Sequence, residues 1–447
     1  MIYLRIIFAI IVLIISTVLF NKAAGSLKIK NLNMISLIYY YMLVFNYLGG
    51  ALIFIGVRNH YLVQKIRFAS TFDISFYALA YCFIAFPTVI LLTKIILNKY
   101  VKRIDINSFI SSNIIYNHNM VAAQGTVLLL ICICTISTAY VFSNLGYNPF
   151  IEMFRGGNID YLRQSGTRLF RGNQYIKNLL MTTLTPFLSY YCYIYYKNTK
   201  GKTWSILFKF SLLLSVFALT YDFSKSPIII FLLGFYLINV SLGNIENNKS
   251  FNRLVIISIV LLLFFYLYVS DAGRDVISIY SGPIGRILFT QIATLFLHFE
   301  VFPLRHDFLN GASFNSWMSF LIPNAEGLRS GRIVMSVYNA SGVETNTAGV
   351  MNTLFIGEAY ANYGIFGIII APIIFGIIIG FVAHFIPALK KNPVTVLLYV
   401  QLTLQFIKIV EGGFVDIFYS ASTIFLLIIS VLLYTVSSNK EYNERKH

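Results

Sequence analysis

Apolar positions along this chain run unbroken for about 20 residues at a time, the length a helix rising 1.5 Å per residue needs to cross a ~30 Å hydrocarbon core. Such runs fall at 2–20, 34–57, 74–97, 120–142, 176–196, 204–220, 227–243, 254–270, 364–386, 394–410 and 417–436. Each predicts a transmembrane helix, because lipid offers no partner to an open backbone N–H or C=O. The expected fold class is therefore an all-α polytopic membrane protein. It has eleven spans, within a range of ten to twelve, in a single integral membrane domain over 1–447 and no soluble globular domain.

The polar positions between the runs are sorted by type. Lysines gather at Lys22, Lys28 and Lys30, at Lys99 and Lys102, at Lys197, Lys200 and Lys202, at Lys249, at Lys390 and Lys391, and in the tail at Lys440 and Lys446. Placing all of these in the cytoplasm, as the bias of Lys and Arg toward cytoplasmic loops directs, gives a consistent alternation with an external N-terminus. One loop breaks the pattern, since Arg58, Lys65 and Arg67 fall outside; a missed or half-inserted segment near the N-terminus would repair it.

Two long segments, 143–175 and 271–363, are then external, and neither contains a lysine. Their cations are Arg155, Arg163, Arg168 and Arg171 in the first, and Arg274, Arg286, Arg305, Arg329 and Arg332 in the second. Guanidinium presents a planar fork that grips phosphate or carboxylate through two hydrogen bonds, whereas an ammonium is a hydrated point charge. The division points to an anionic ligand at the outer face; chance, or the easier placement of arginine at an interface, is the plain alternative. Within the second segment, residues 286–304 are apolar but carry Arg286, Thr290, Gln291, Thr294 and His298 on one helical face. This predicts an amphipathic or re-entrant helix with its polar stripe toward a cavity, against the alternative of a helix packed in the bundle core.

Composition excludes several classes. With 57% hydrophobic and 11% charged residues, the net charge of +17 has no soluble basic domain to occupy, so no nucleic-acid partner is expected. Cys82, Cys132, Cys134 and Cys192 all lie inside apolar runs and read as small core residues. The run 2–20 lacks a small-residue cleavage site and reads as the first helix. Neither nucleotide-loop nor metal-ligand spacing occurs, and DxD is absent, so no cofactor and no metal are expected.

Candidate chemistry clusters on the outer side. It comprises Arg163, Arg168 and Arg171; Asp271-Ala-Gly-Arg274-Asp275; Arg305-His306-Asp307 near Trp317; and Glu326 through Arg329 and Arg332 to Glu344. Glu358 stands where a membrane run begins, a position at which an ionisable group is a functional candidate. Asp222-Phe-Ser-Lys225-Ser-Pro227 is a short polar turn with a cation at its centre.

The architecture, together with Tyr221–Phe231, Phe320–Arg332 around Ile322-Pro323-Asn324, and Gly357-Glu-Ala-Tyr-Ala-Asn-Tyr-Gly364 before a glycine-punctuated helix, resembles the Wzy-type O-antigen and repeat-unit polysaccharide polymerases. Two features differ from relatives: Lys225 stands where many carry arginine, and neither external loop has an arginine followed sixteen residues later by glycine. The resemblance implies an enzyme of the bacterial cytoplasmic (inner) membrane with its active face periplasmic. It would be a metal-independent glycosyltransferase that moves a growing glycan from undecaprenyl diphosphate onto the next lipid-linked oligosaccharide unit. Membrane lipid, a flippase and a chain-length regulator of the same pathway would be its partners. Cations must absorb the charge of the departing diphosphate and a base must take the acceptor proton. The first role falls to Arg163, Arg168, Arg171, Lys225, Arg274, Arg286, Arg305, Arg329 and Arg332, with Tyr360 among the sugar-contacting aromatics. The second falls to Glu358, His306, Asp307 or Glu344, among which the sequence does not choose. An O-antigen ligase, or a flippase of lipid-linked oligosaccharide, is the alternative reading.

Overall fold

The computed structural model describes residues 2–100, 106–115, 119–148, 151–152, 170–243, 282–345 and 347–438, together with positions 253, 256, 260, 278 and 280. The described residues are all-helical, without strands. We label the helices α1 (Ile2–Ala24), α2 (Met34–Ile55), α3 (Ala69–Tyr100), α4 (Met120–Ser143), α5 (176–199), α6 (Lys202–Leu219) and α7 (Lys225–Ser241). They continue with α8 (282–301), α9 (Ser330–Tyr338), α10 (Phe355–Phe385), α11 (Pro393–Gly412) and α12 (Ala421–Ser438). Among the described residues, eight helical segments are long and apolar enough to cross a membrane: α1 to α4, α6, α10, α11 and the segment Val415–Ser438 that contains α12. The chain is thus a multi-pass membrane protein. The expected spans at 176–196 and 227–243 are helical as α5 and the 17-residue α7, and that at 254–270 lies outside the described residues apart from positions 256 and 260.

The two ends of the bundle differ chemically. At one end, Lys94 at the foot of α3 donates to the carbonyls of Lys22 and Ala23 at the foot of α1. There Lys391 donates to the carbonyls of Ile110 and Ser112 at 2.9 and 2.7 Å, and Asn119 meets Ser437. This is the lysine end. At the other, Arg5 bridges the Phe54 carbonyl and Asp73. The loop 56–68 stays here, and no extra segment rescues it. Its cations are absorbed locally instead: the Arg58 guanidinium lies 3.8 Å from the Phe72 ring centroid, and Lys65 reaches the Tyr338 carbonyl.

Helix α8 belongs to this second, arginine end. The loop touches it twice, through His60 and Thr290 at 3.3 Å and through Glu300, which accepts from the Arg67 backbone and Thr71 hydroxyl at 3.0 and 2.9 Å. A helix with both halves on one loop does not cross. The expected stripe facing a cavity is corrected, however. All of Gln291–Val301 except Gln291 is buried, Thr294 donates to the Asn352 carbonyl, and His298 sits between the Thr294 carbonyl and Ser330 hydroxyl. Gly49 and Gly50 of α2 admit this helix against their backbone, where a Cβ would collide with Leu288 and Ile292. Close packing has turned the polar face inward, toward protein partners.

Helix α10 is two helices. Gly364 adopts φ 59, ψ −139, a conformation that glycine reaches without a Cβ penalty. Residues 355 and 375 would be about 30 Å apart in a continuous helix, yet the Phe355 and Phe375 rings stack at 3.9 Å. Gly367 similarly abuts the Ala359 carbonyl with no room for a Cβ. Residues 355–363 therefore ascend to the arginine end, turn at Gly364, and 365–385 descend. Phe355 also meets Phe86, midway along α3, at 5.9 Å, so the hairpin starts at the depth of the bundle's middle. Backbone of this kind is tolerated at membrane depth only where protein or water surrounds it, and 355–359 are buried throughout.

Candidate functional site

The turn after α11 is recessed. Phe414 lies 6.3 Å from Phe375, level with the middle of the descending arm. Onto this turn converge α11, the ascending arm of α10 and the N-terminus of α9.

At the convergence stands Arg329, the residue before α9. Its guanidinium donates to both oxygens of Asp416 at 2.6 and 3.0 Å and to the Gly412 carbonyl at 2.8 Å. Its Nε lies 3.2 Å from Glu358 Oε1. The other oxygen of Glu358 accepts the Val415 backbone N–H at 3.1 Å. Gly413 lies so near that a Cβ there would overlap Glu358 Oε2. Glu358 is 2% exposed, whereas the Asp416 side chain is 31% exposed. One carboxylate anchors the cluster from behind and the other faces open space.

That space is a cavity of about 360 Å³ lined by Asn315, Arg329, Gln405, Lys408, Ile409, Asp416 and Tyr419 to Ala421. Trp317 and Tyr419 pair at its rim at 5.1 Å. Below it, a crevice of about 60 Å³ runs among Thr182, Pro186, Leu219, Pro227, Phe231, Gln401 and Leu404, and Gln405 and Lys408 line both spaces. Water-sized room lined by charged, amide and hydroxyl groups beside apolar side chains suits a polar ligand.

The residues expected from sequence are only partly brought together. Glu358 and Arg329 meet in the cluster. Arg305 is engaged elsewhere, paired with Glu300 at 3.3 Å, and Arg332 donates to the Ala348 and Val343 carbonyls. Tyr360 stacks on Phe299 at 4.0 Å, which makes it a packing residue of the hairpin. His306 bonds the Asp307 carbonyl; Asp307, Glu344, Arg171 and Arg286 are exposed and do not line the cavity. Lys225 opens α7 and is half-buried. Arg163, Arg168 and Arg274 lie outside the described residues. Among the described residues, no group of histidine, cysteine and carboxylates is placed to hold a metal.

His298, one shell behind Arg329 through Ser330, is wholly buried. The carbonyl at its Nδ1 can only accept, so Nδ1 carries the proton and Nε2 accepts from Ser330. Burial pushes this imidazole down to about 4, so it is neutral.

Sequence reading missed Asp416, Gln401, Gln405 and Lys408. The signal was present for three of them: 401, 405 and 408 stand at i, i+4 and i+7 of an apolar run, a polar stripe on one helical face. Asp416 became part of the site only through the fold. Searches against protein families, curated proteins and solved structures return no match for this chain.

Proposed function

We propose that this protein is a glycosyltransferase polymerising lipid-diphosphate-linked oligosaccharide units at the arginine end of the bundle, facing the outside of the cytoplasmic membrane. The observation that supports it is the recessed cavity in which Asp416, fixed by both nitrogens of Arg329, shares a wall with the Lys408 ammonium. In this reading the acceptor sugar's hydroxyl gives its proton to Asp416 as its oxygen bonds to the anomeric carbon of the donor. The bond from that carbon to the diphosphate oxygen breaks, and the electron pair leaves with the diphosphate. Cations stabilise that charge better at membrane depth than in water, because the surroundings screen less. Glu358 does not touch this chemistry; it positions Arg329. The sugar rings find Trp317 and Tyr419 at the rim.

A transporter would also hold charged groups at membrane depth, there between repeated halves. Disrupting the gene in its host separates the classes. Loss of a polymerase leaves surface or lipid-linked glycan one repeat unit long, and Asp416→Asn fails to restore longer chains. Accumulation of long unligated polymer in the disrupted strain, or of single units trapped inside, overturns the proposal in favour of a ligase or a flippase.

A further inference from the structure

Helix α11 carries a carboxylate, Glu411, that the chemistry proposed above leaves unused. It stands one residue before Gly412, where α11 gives way to the recessed turn, and so at membrane depth. Two groups of α2 hold it. The Tyr41 hydroxyl donates to Oε2, and the Asn46 side-chain amide donates to Oε1 at 3.5 Å, the outer limit of such a bond. No described lysine, arginine or histidine forms an ion pair with Glu411. The cations nearest in sequence and in the turn are placed otherwise. Arg329 is bound to Asp416, Glu358 and the Gly412 carbonyl, and Lys408 lines the cavity. An ionisable group at such depth is costly unless it is matched, and it marks a candidate ligand site.

Asn46 supplies a second, independent observation. Its side chain is fully enclosed, at 0% exposure, and its Oδ1 is buried without a hydrogen-bond partner. A buried acceptor is expensive to leave unmatched. The residue is presented by Leu43–Tyr47, where α2 opens into a π-helical turn, a rare winding that recurs at functional sites. An oxygen that lacks a donor therefore lies one amide's width from a carboxylate that lacks a counter-ion. A single bound cation answers both.

The donor set restricts which cation. Carboxylate and amide oxygens are hard ligands and suit hard cations rather than soft or transition metals. One carboxylate balances one positive charge, whereas a divalent ion would leave a charge unmatched inside the bundle. Glu411 is half-buried, so water can reach the cluster and fill the ligand positions that the side chains do not.

We propose that Glu411 and Asn46, with Tyr41 orienting the carboxylate, form a binding site for a monovalent alkali cation that ties α2 to α11 beside the recessed turn. The site uses none of the residues assigned to glycosyl transfer and is independent of that reading.

The test is equilibrium binding of radioactive sodium and rubidium to the full chain in mild detergent, read beside its thermal midpoint in sodium, potassium and choline chloride at equal ionic strength. The wild type binds one alkali ion per chain and melts higher in the alkali salt that binds than in choline. Glu411→Gln abolishes both effects. Asn46→Leu leaves the carboxylate in place, weakens binding about tenfold or more, and serves as the second variant should Glu411→Gln fold poorly. Binding of neither label to the wild type overturns the site, as does equal binding by wild type and Asn46→Leu. A midpoint that ignores the salt but follows pH in the wild type, and not in Glu411→Gln, also overturns it and places a proton on Glu411 instead.

Discussion

Removing Arg329 exposes the energetics of the recessed cluster. Its two carboxylate partners differ in burial, and that decides which contact matters. The Asp416 side chain is about a third exposed, so water takes over when the guanidinium goes, and this limb is worth at most about 1 kcal/mol. Glu358 is 2% exposed and keeps only backbone N–H groups of the turn at Phe414 and Val415. Breaking a buried pair by deleting one partner costs about 3–5 kcal/mol, because the remaining charge is left uncompensated. Since the Arg329 side chain is itself 33% exposed, the lower end applies, and Arg329→Met is expected to lose about 3 kcal/mol. Neutralising the stranded acid then rescues the fold: Arg329→Met/Glu358→Gln is more stable than Arg329→Met alone by about 2 kcal/mol. The assay is unfolding by sodium dodecyl sulfate in mild detergent, followed by fluorescence of Trp204, which is fully buried in the α5–α6 region. A double variant no more stable than Arg329→Met refutes the assignment of Glu358 as the buried anchor of Arg329.

Three further outcomes are expected. His298 is held well below its unfolded value of 6.5, at about 4, so its contribution is complete above pH 6.5 and is lost as pH falls through 4, by up to about 3 kcal/mol; His298→Gln loses this part of the acid dependence of the thermal midpoint. Gly367→Ala wedges the hairpin apart at the Ala359 carbonyl and costs about 1–3 kcal/mol, read as a lower thermal midpoint. Gly125→Ala, on an open face of α4, does not lower it. In a cysteine-free background, Glu326→Cys reacts with a membrane-impermeant thiol reagent applied to intact cells while Lys390→Cys does not; the reverse pattern turns the cavity toward the cytoplasm and ends the polymerase reading.

The membrane class of this protein is written in its residue order, because a 20-residue apolar run has one way to satisfy its backbone in lipid and needs no knowledge of its neighbours. The start of the descending arm at 364 was legible for the same reason. The hairpin was not. Nothing in Gly357–Gly364 says that the helix folds back; that depends on the middle of α3 and the descending arm accepting Phe355 between Phe86 and Phe375. Nor could the order of residues assign partners. Arg329, Glu358 and Asp416 are separated by 29 and 58 positions, and which arginine is consumed by the protein and which cation stays open is settled by what packs behind each. A run that is apolar on all sides carries little information about which face meets a neighbour. The stripe of Gln401, Gln405 and Lys408 could be read as polar from its spacing, but only the packing of α5, α7 and α11 made it the wall of a cavity.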